Sequence, residues 1–206
     1  MSHRGLFLSL DGIDGTGKST QCRLLVEWLN ARGMPAILCH DPGGTHLGDR
    51  LRAILLDKSE DLSLRAEALL FMASRAELVE RVIRPALEAG TTVISDRFVL
   101  ANIAYQGHAG GLDPAELWEV GQFSTGGLIP SLTFILDLPV DEAVRRRGRD
   151  PDRIESREVE YRERLRQGFL SEAHRRPDRF RIIDAAASVE EIQERLRKQI
   201  EPLVHG

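Results

Sequence analysis

Short apolar runs alternate along the chain with stretches of helical periodicity. Leu6 to Leu10 is one such run, closed by Asp11-Gly12, and Ala36 to Cys39, Thr92 to Ser95, Leu132 to Leu136 and Phe180 to Ile183 repeat the design. Runs this short and this continuous predict five strands buried on both faces. Between them, in Gln21 to Ala31, Ala66 to Ala89 and Val189 to Leu203, apolar residues recur three or four apart, which gathers them on one face of a helix. The helix ends carry their own chemistry. Asp113-Pro114-Ala115-Glu116 supplies a cap, a proline for the first helical position and a carboxylate for the first turn. Ser188 and Glu191 have the spacing of a capping box, and Gly33 and Gly90 stand where helices should stop. Parallel strands need helical crossovers, so this alternation predicts an α/β fold: three layers, α/β/α, around a five-stranded parallel sheet. Ligands of such a sheet gather at the carboxyl ends of its strands.

Length and charge narrow the picture. A chain of 206 residues with 42% hydrophobic content can bury one substantial core, so residues 1–206 are expected to form a single domain. Charged residues are 29% of the total, yet the net charge is only −4. That balance argues against a coat for nucleic acid or an anionic membrane and points to small partners. Cys22 and Cys39 lack metal-ligand spacing and read as reduced thiols of a cytoplasmic protein. Met1-Ser2-His3-Arg4 leads straight into the first strand without an apolar signal region, and no apolar run nears membrane-spanning length, so a cytosolic location is expected.

The chemistry starts at the end of the first strand. Gly12-Ile13-Asp14-Gly15-Thr16-Gly17-Lys18-Ser19 fits glycine, four residues, Gly-Lys-Ser/Thr, with a strand before it and a helix after it. The glycines let backbone N–H groups converge on phosphate oxygens, the helix adds the positive end of its dipole, and Lys18 is placed for the β- and γ-phosphates. Ser19 is the expected Mg²⁺ ligand, and Thr20 continues the loop into the helix. The motif predicts a P-loop NTPase fold that binds ATP. The guanine-reading Asn-Lys-x-Asp of regulatory GTPases is absent, and motor or transporter ATPases are larger.

Further along lie residues suited to a second, acceptor nucleotide. Asp96-Arg97 follows the third strand and so projects at the ligand edge of the sheet. Asp41-Pro42-Gly43-Gly44-Thr45 follows the second strand and precedes a helix with Arg50 and Arg52, and Phe71 and Arg75 share a helix face. Each is ordinary alone: a salt-bridged strand end, a turn, a core aromatic. Together with Ser9-Leu10-Asp11-Gly12-Ile13-Asp14-Gly15, Asp96-Arg97-Phe98, Ala104-Tyr105-Gln106-Gly107 and Asp152-Arg153-Ile154-Glu155, they fall in the order and spacing of the thymidylate kinases, which the chain resembles over nearly its whole length.

The resemblance implies transfer of the γ-phosphoryl group of ATP to dTMP, giving dTDP and ADP, with Mg²⁺ assisting, in an enzyme that is typically a homodimer; the helix from Ala66 to Ala89 is a candidate interface. It implies that Arg52 and Arg97 grip the acceptor phosphate and that Asp96 lies near the magnesium. Phe71 would stack on thymine, with Arg75 reaching O4 and Asn102 the N3 edge. Tyr105 would disfavour a ribose 2′-OH, Asp14 would serve the 3′-OH and the metal environment, and Pro42 and Gln106 complete the acceptor set. His40-Asp41 stands where the family has Arg-Glu, and Ala101 where serine is common.

Arg145, Arg146, Arg147, Arg149 and Arg153, with Gly148, Asp150 and Pro151 among them, predict a mobile lid over about 145–157 that excludes water and supplies cations to the developing charge. Because Gly15 occupies the point where some thymidylate kinases carry a P-loop arginine, the catalytic arginine is expected in the lid: Arg147, Arg149 or Arg153, with Arg146 over the adenine. Two other functions fit parts of the pattern. A deoxynucleoside kinase would share the loop, the acid-arginine pair and the lid, and a nucleotide-binding regulator would bind without turnover.

Overall fold

A computed structural model describes residues 5–147, 153–154 and 159–204. Five strands, β1 (Phe7–Asp11), β2 (Ala36–His40), β3 (Thr92–Asp96), β4 (Leu132–Asp137) and β5 (Phe180–Asp184), form one parallel sheet in the order β2-β3-β1-β4-β5. The expected strands are all present, each reaching one residue further toward its carboxyl end than the apolar run. That added residue is polar in every strand: Asp11, His40, Asp96, Asp137 and Asp184. The sequence order changes direction between β1 and its neighbours β3 and β4, which opens a crevice at the carboxyl edge beside β1.

Every residue of β1 is buried, as a central strand with helices over both faces requires. On it and around it are α1 (Lys18–Asn30), α2 (His46–Leu56), α3 (Leu64–Leu78), α4 (Arg84–Glu88), α5 (Val99–Asn102), α6 (Pro114–Ser124), α7 (Val140–Arg147), α8 (Val159–Arg175) and α9 (Val189–Val204). The predicted caps are made. The Asp113 carboxylate accepts from the Ala115 N–H at 2.8 Å. In the capping box, the Ser188 N–H donates to Glu191 at 2.9 Å and the Glu191 N–H to the Ser188 hydroxyl at 3.2 Å. Thr45 and Ser63 cap α2 and α3 in the same way.

Two helical regions differ from expectation. The helix predicted over Ala66 to Ala89 starts earlier, at Leu64, and passes through a π-helical turn, Val79–Ile83, before α4. Pro85 has no N–H to offer the preceding turn, and the wider turn accommodates that loss. Arg145, Arg146 and Arg147 lie in the last turn of α7 rather than in a loop. Cations at a helix C-terminus are favoured by its dipole, and acids one turn earlier pair with two of them: Arg145 with Asp141 at 3.8 Å and Arg146 with Glu142 at 2.5 Å. Most of the expected lid, 148–152 and 155–157, lies outside the described residues.

Candidate active site

The loop Gly12 to Ser19 joins β1 to α1, and its lysine is drawn inward. Lys18 is 6% exposed, its ammonium donates to the Ile13 carbonyl at 2.8 Å, and the Asp14 carboxylate stands 3.6 Å away. Burial lowers the Lys18 pKa, Arg97 lowers it further, and Asp14 opposes both. Thr16 also donates to the Ile13 carbonyl, at 2.9 Å, so Ile13 and Thr16 brace the loop from within while Asp14, Gly15, Gly17, Lys18, Ser19 and Thr20 line a cavity of about 560 Å³. Gly15 has φ +92, and a Cβ there would meet the Ala143 carbonyl oxygen of α7 at 2.0 Å. The backbone of α7 therefore leaves no room for a side chain at that point of the loop.

At the edge of β3, Ser19 donates to Asp96 at 2.5 Å, bringing together the two expected metal ligands. Arg97 follows in a left-handed conformation, φ 73, the only positive φ at a non-glycine among the described residues. Such a backbone costs on the order of 1–3 kcal/mol and persists where its surroundings hold it. Here the Arg97 N–H donates to Leu10 of β1 at 2.9 Å, and the Ser95 hydroxyl donates to the Arg97 carbonyl at 2.6 Å. The guanidinium is thereby aimed across β1, donating to the Gly12 carbonyl at 3.0 Å, to Asp14 at 2.5 Å and to the Tyr105 oxygen at 2.9 Å. Tyr105 completes the triangle by donating to the other Asp14 oxygen at 2.8 Å. Burial opposes ionisation of Asp14, but Arg97, Lys18 and the Tyr105 hydrogen bond outweigh it and hold the carboxyl well below the usual range. Burial likewise pushes the Tyr105 phenol up.

A second, more enclosed cavity of about 120 Å³ lies beside the first. All the residues expected on the acceptor side line it: Asp14, Pro42, Arg52, Phe71, Arg75, Arg97, Asn102, Tyr105 and Gln106. Phe71 is half-buried at its wall, and Arg52 donates to the Pro42 carbonyl at 2.8 Å. Arg75 is fully sequestered: its Nε pairs with Asp41, and one Nη donates to Asn102 Oδ1 at 2.7 Å. Asp14, Asp41, Arg52 and Arg97 line both cavities, so the two spaces meet at a wall with two guanidinium groups.

The arginines of the polar segment separate. Arg146 borders the larger cavity and donates to the Ala185 carbonyl at 2.6 Å, in the loop between β5 and α9. Arg153 donates to the Leu55 carbonyl at 3.0 Å and to Glu67 at 2.6 Å, and borders neither cavity, whereas its neighbour Ile154 lines the smaller one. Arg149 and the side chain of Arg147 lie outside the described residues.

Three residues of consequence receive no role from the sequence pattern. Asp41 stands out there only as a departure from the family's glutamate, yet it carries the buried end of the Arg75 pair. Glu67, fully buried on α3, sits one turn before Phe71 on the helix's inner face, and a carboxylate on an apolar stripe is the signal that marks it. Asp11 is completely buried at the end of β1, and neither of its oxygens accepts a hydrogen bond from any described residue. Burial pushes its carboxyl up to about 7, against the pull of Arg97 and Lys18.

Among the described residues no cluster of three or more His, Cys, Asp or Glu side chains is arranged to hold a metal ion, and no helix is long and apolar enough to cross a membrane.

With this geometry in hand, comparisons with known proteins agree on one family. The family model described as thymidylate kinase matches residues 10–196. A thymidylate kinase of Rhodopirellula baltica is 46% identical over 190 residues, 92% of this chain and 78% of the relative. One from Symbiobacterium thermophilum is 44% identical over 201 residues, 97% of this chain and 94% of the relative. The crystal structure of thymidylate kinase from Ehrlichia chaffeensis is 30% identical and superposes with a TM-score of 0.80, covering 96% of this chain and 99% of that one.

Proposed function

Because the chain belongs to the thymidylate kinase family, an ATP-dependent transferase that phosphorylates dTMP to dTDP, we propose how its two cavities divide the two nucleotides. The larger cavity takes the phosphates of ATP and the smaller one takes dTMP. The observation that carries this reading is their shared wall, where Arg52, Arg97 and Asp14 face both spaces.

In this reading the loop Gly12 to Thr20 wraps the ATP phosphates through its backbone N–H groups and Lys18, whose ammonium leaves the Ile13 carbonyl for phosphate oxygen. Arg146, held on the Ala185 carbonyl, covers the adenine. Arg52 and Arg97 clamp the acceptor monophosphate, and Phe71 stacks on the base while Arg75 and Asn102 meet its O4 and N3. Pro42 and Gln106 shape the wall, and Tyr105 closes the space that a ribose 2′-OH would need. Asp14, ionised at neutral pH, holds Arg97 in place and receives the 3′-OH.

A dTMP phosphate oxygen then attacks the γ-phosphorus in line, the bond to the β–γ bridging oxygen breaks, and ADP leaves with that oxygen's charge. No covalent enzyme intermediate is required. The transition state spreads charge over the transferred phosphoryl group, so placement by the two arginines and the cationic field of Lys18 supply the acceleration. A cation from Arg147 or Arg149 completes that field, since Gly15 has no room for one and Arg153 is engaged elsewhere. Ser19 and Asp96 are hard oxygen donors 2.5 Å apart at the phosphate cavity, a fit for Mg²⁺, which takes few protein ligands and completes its shell with phosphate and water. When bound, the ion neutralises phosphate charge.

The reading extends to the whole chain. One hydrophobic core joins elements from β1 to α9, which supports a single domain over residues 1–206. Free, buried Cys22 and Cys39 suit a cytoplasmic enzyme. Leu69 of α3 and Phe123 of α6, 58% and 88% exposed on helices that pack together, support a homodimer through that face. Light scattering should return twice the 23.1 kDa chain mass, and a monomer throughout the micromolar range would overturn the dimer.

Acceptor choice tests the function directly. In a coupled ADP-release assay, kcat/KM for dTMP should exceed that for thymidine by roughly 10²-fold or more, because thymidine leaves both clamp arginines without their phosphate. Preferred turnover of thymidine would make the chain a nucleoside kinase, and binding without turnover would make it a regulator.

A further inference from the structure

Beneath the smaller cavity, a line of largely buried side chains connects α2, α3 and the π-helical stretch Ile103–Ala109 that continues α5. Arg153 donates to Glu67 Oε2 at 2.6 Å, and Gln106 Nε2 donates to Glu67 Oε1 at 2.8 Å. Asn102 Nδ2 donates to Gln106 Oε1 at 3.0 Å, Arg75 donates to Asn102 Oδ1 at 2.7 Å, and Arg75 Nε pairs with Asp41. Glu67, Gln106, Asn102 and Arg75 are each at most 1% exposed.

The sense of this line is dictated by its fixed members. A carboxylate only accepts and a guanidinium only donates, whereas an amide can turn either way. Facing Glu67, Gln106 must turn its NH₂ toward the carboxylate and its carbonyl toward Asn102. Asn102 must in turn point its NH₂ at Gln106 and its carbonyl at Arg75. Both residues line the cavity, so the spare lone pair of Asn102 Oδ1 and the remaining N–H groups of Arg75 form an acceptor beside a donor. That pair complements a pyrimidine with an N3–H and a 4-oxo group. A 4-amino pyrimidine would set lone pair against lone pair and N–H against N–H.

We propose that Glu67 and Arg153 are positioning residues that set the base preference of the acceptor site without touching the base, Glu67 by fixing the sense of Gln106 and thereby locking, together with Arg75, that of Asn102, and Arg153 by compensating and orienting Glu67. Arg153 also donates to the Leu55 carbonyl in the last turn of α2, the helix that carries Arg52, and so ties the base end of the site to its phosphate end. This role rests on the acceptor-site reading above. It differs from a catalytic role for Arg153, which would act at the transferred phosphoryl group.

The test compares kcat/KM for dTMP and dCMP in the full-length enzyme and in E67Q, R153M and R153K. The dTMP:dCMP ratio should fall roughly tenfold or more in E67Q, which frees the Gln106 amide and leaves Arg75 alone to hold the sense of Asn102, and in R153M. The KM for dTMP should rise while the KM for ATP holds, and R153K, which keeps a cation beside Glu67, should recover part of the ratio. If a single substitution prevents folding, E67Q/R153M removes both charges of the pair together and carries the same expectation. A ratio unchanged in E67Q and R153M, or a fall in kcat alone in R153M, would overturn the proposal while leaving the acceptor site standing. A wild-type ratio near one would overturn the acceptor-site reading itself.

Discussion

The phosphate loop and the base pocket share a wall but are built in opposite ways. The loop is one continuous stretch, Gly12 to Ser19, set by the strand before it and the helix after it, and its main tools are backbone N–H groups and one lysine. The base pocket draws Asp41, Phe71, Arg75, Asn102, Gln106 and Ile154 from separate parts of the chain. Its tools are side-chain amides and buried ion pairs, whose sense depends on partners outside the cavity. A backbone-built site binds any suitably spaced phosphates. A side-chain network can tell one base edge from another, and a change at a distance can alter it.

The largest test of this division removes the loop's one essential side chain. In Lys18→Ala, kcat should fall by about 10³-fold or more, because the cation is placed for charge that develops in transfer. The KM for dTMP should stay within a few fold, since Lys18 borders only the larger cavity. Steady-state kinetics with both substrates varied would check this. A dTMP KM that rises in step with the loss of kcat would break the division between the two regions. The E67Q and R153M substitutions form the converse arm, with a smaller effect on the opposite parameter.

The same contrast explains what the sequence discloses. Apolar runs and caps mark all five strands and the starts of α6 and α9, because those signals are local. The loop is legible for the same reason. The acceptor residues carry no local signal that separates them from ordinary core or turn residues, and only their order along the chain, matched to a family, draws them together. Glu67 and Asp41 stay hidden because their meaning lies in pairing across 86 and 34 positions. Arg97 is legible as a charge, but its left-handed backbone, which aims that charge at the loop, follows from hydrogen bonds to β1 and Ser95 that no short pattern encodes. The basic run at 145–147 looks like loop by composition, while its pairing with acids one turn earlier makes it the end of a helix.

Asp11 offers the smallest and most selective probe, because it underlies the loop without lining either cavity. It is fully buried, with Arg97, Lys18, Asp96 and Arg75 as the charged groups around it. Burial dominates and raises its carboxyl to about 7, whereas an unfolded chain holds it at about 3.9. A folded pKa above the unfolded one means that the folded state favours the protonated acid. The contribution is therefore fully present below about pH 4 and is lost as pH rises through about 7. An asparagine at this position mimics the protonated acid and does not titrate, so Asp11→Asn should match the parent near pH 4 and gain on it steadily above. By pH 8 the gain should reach about 2–4 kcal/mol, read as a melting temperature higher by several degrees. The kcat for dTMP should change by no more than a few fold. Melting curves at several pH values decide the matter: a difference independent of pH would show that the carboxyl is ionised throughout, held so by Arg97 and Lys18, and would make Asp11 part of the loop's electrostatic machinery instead of the core beneath it.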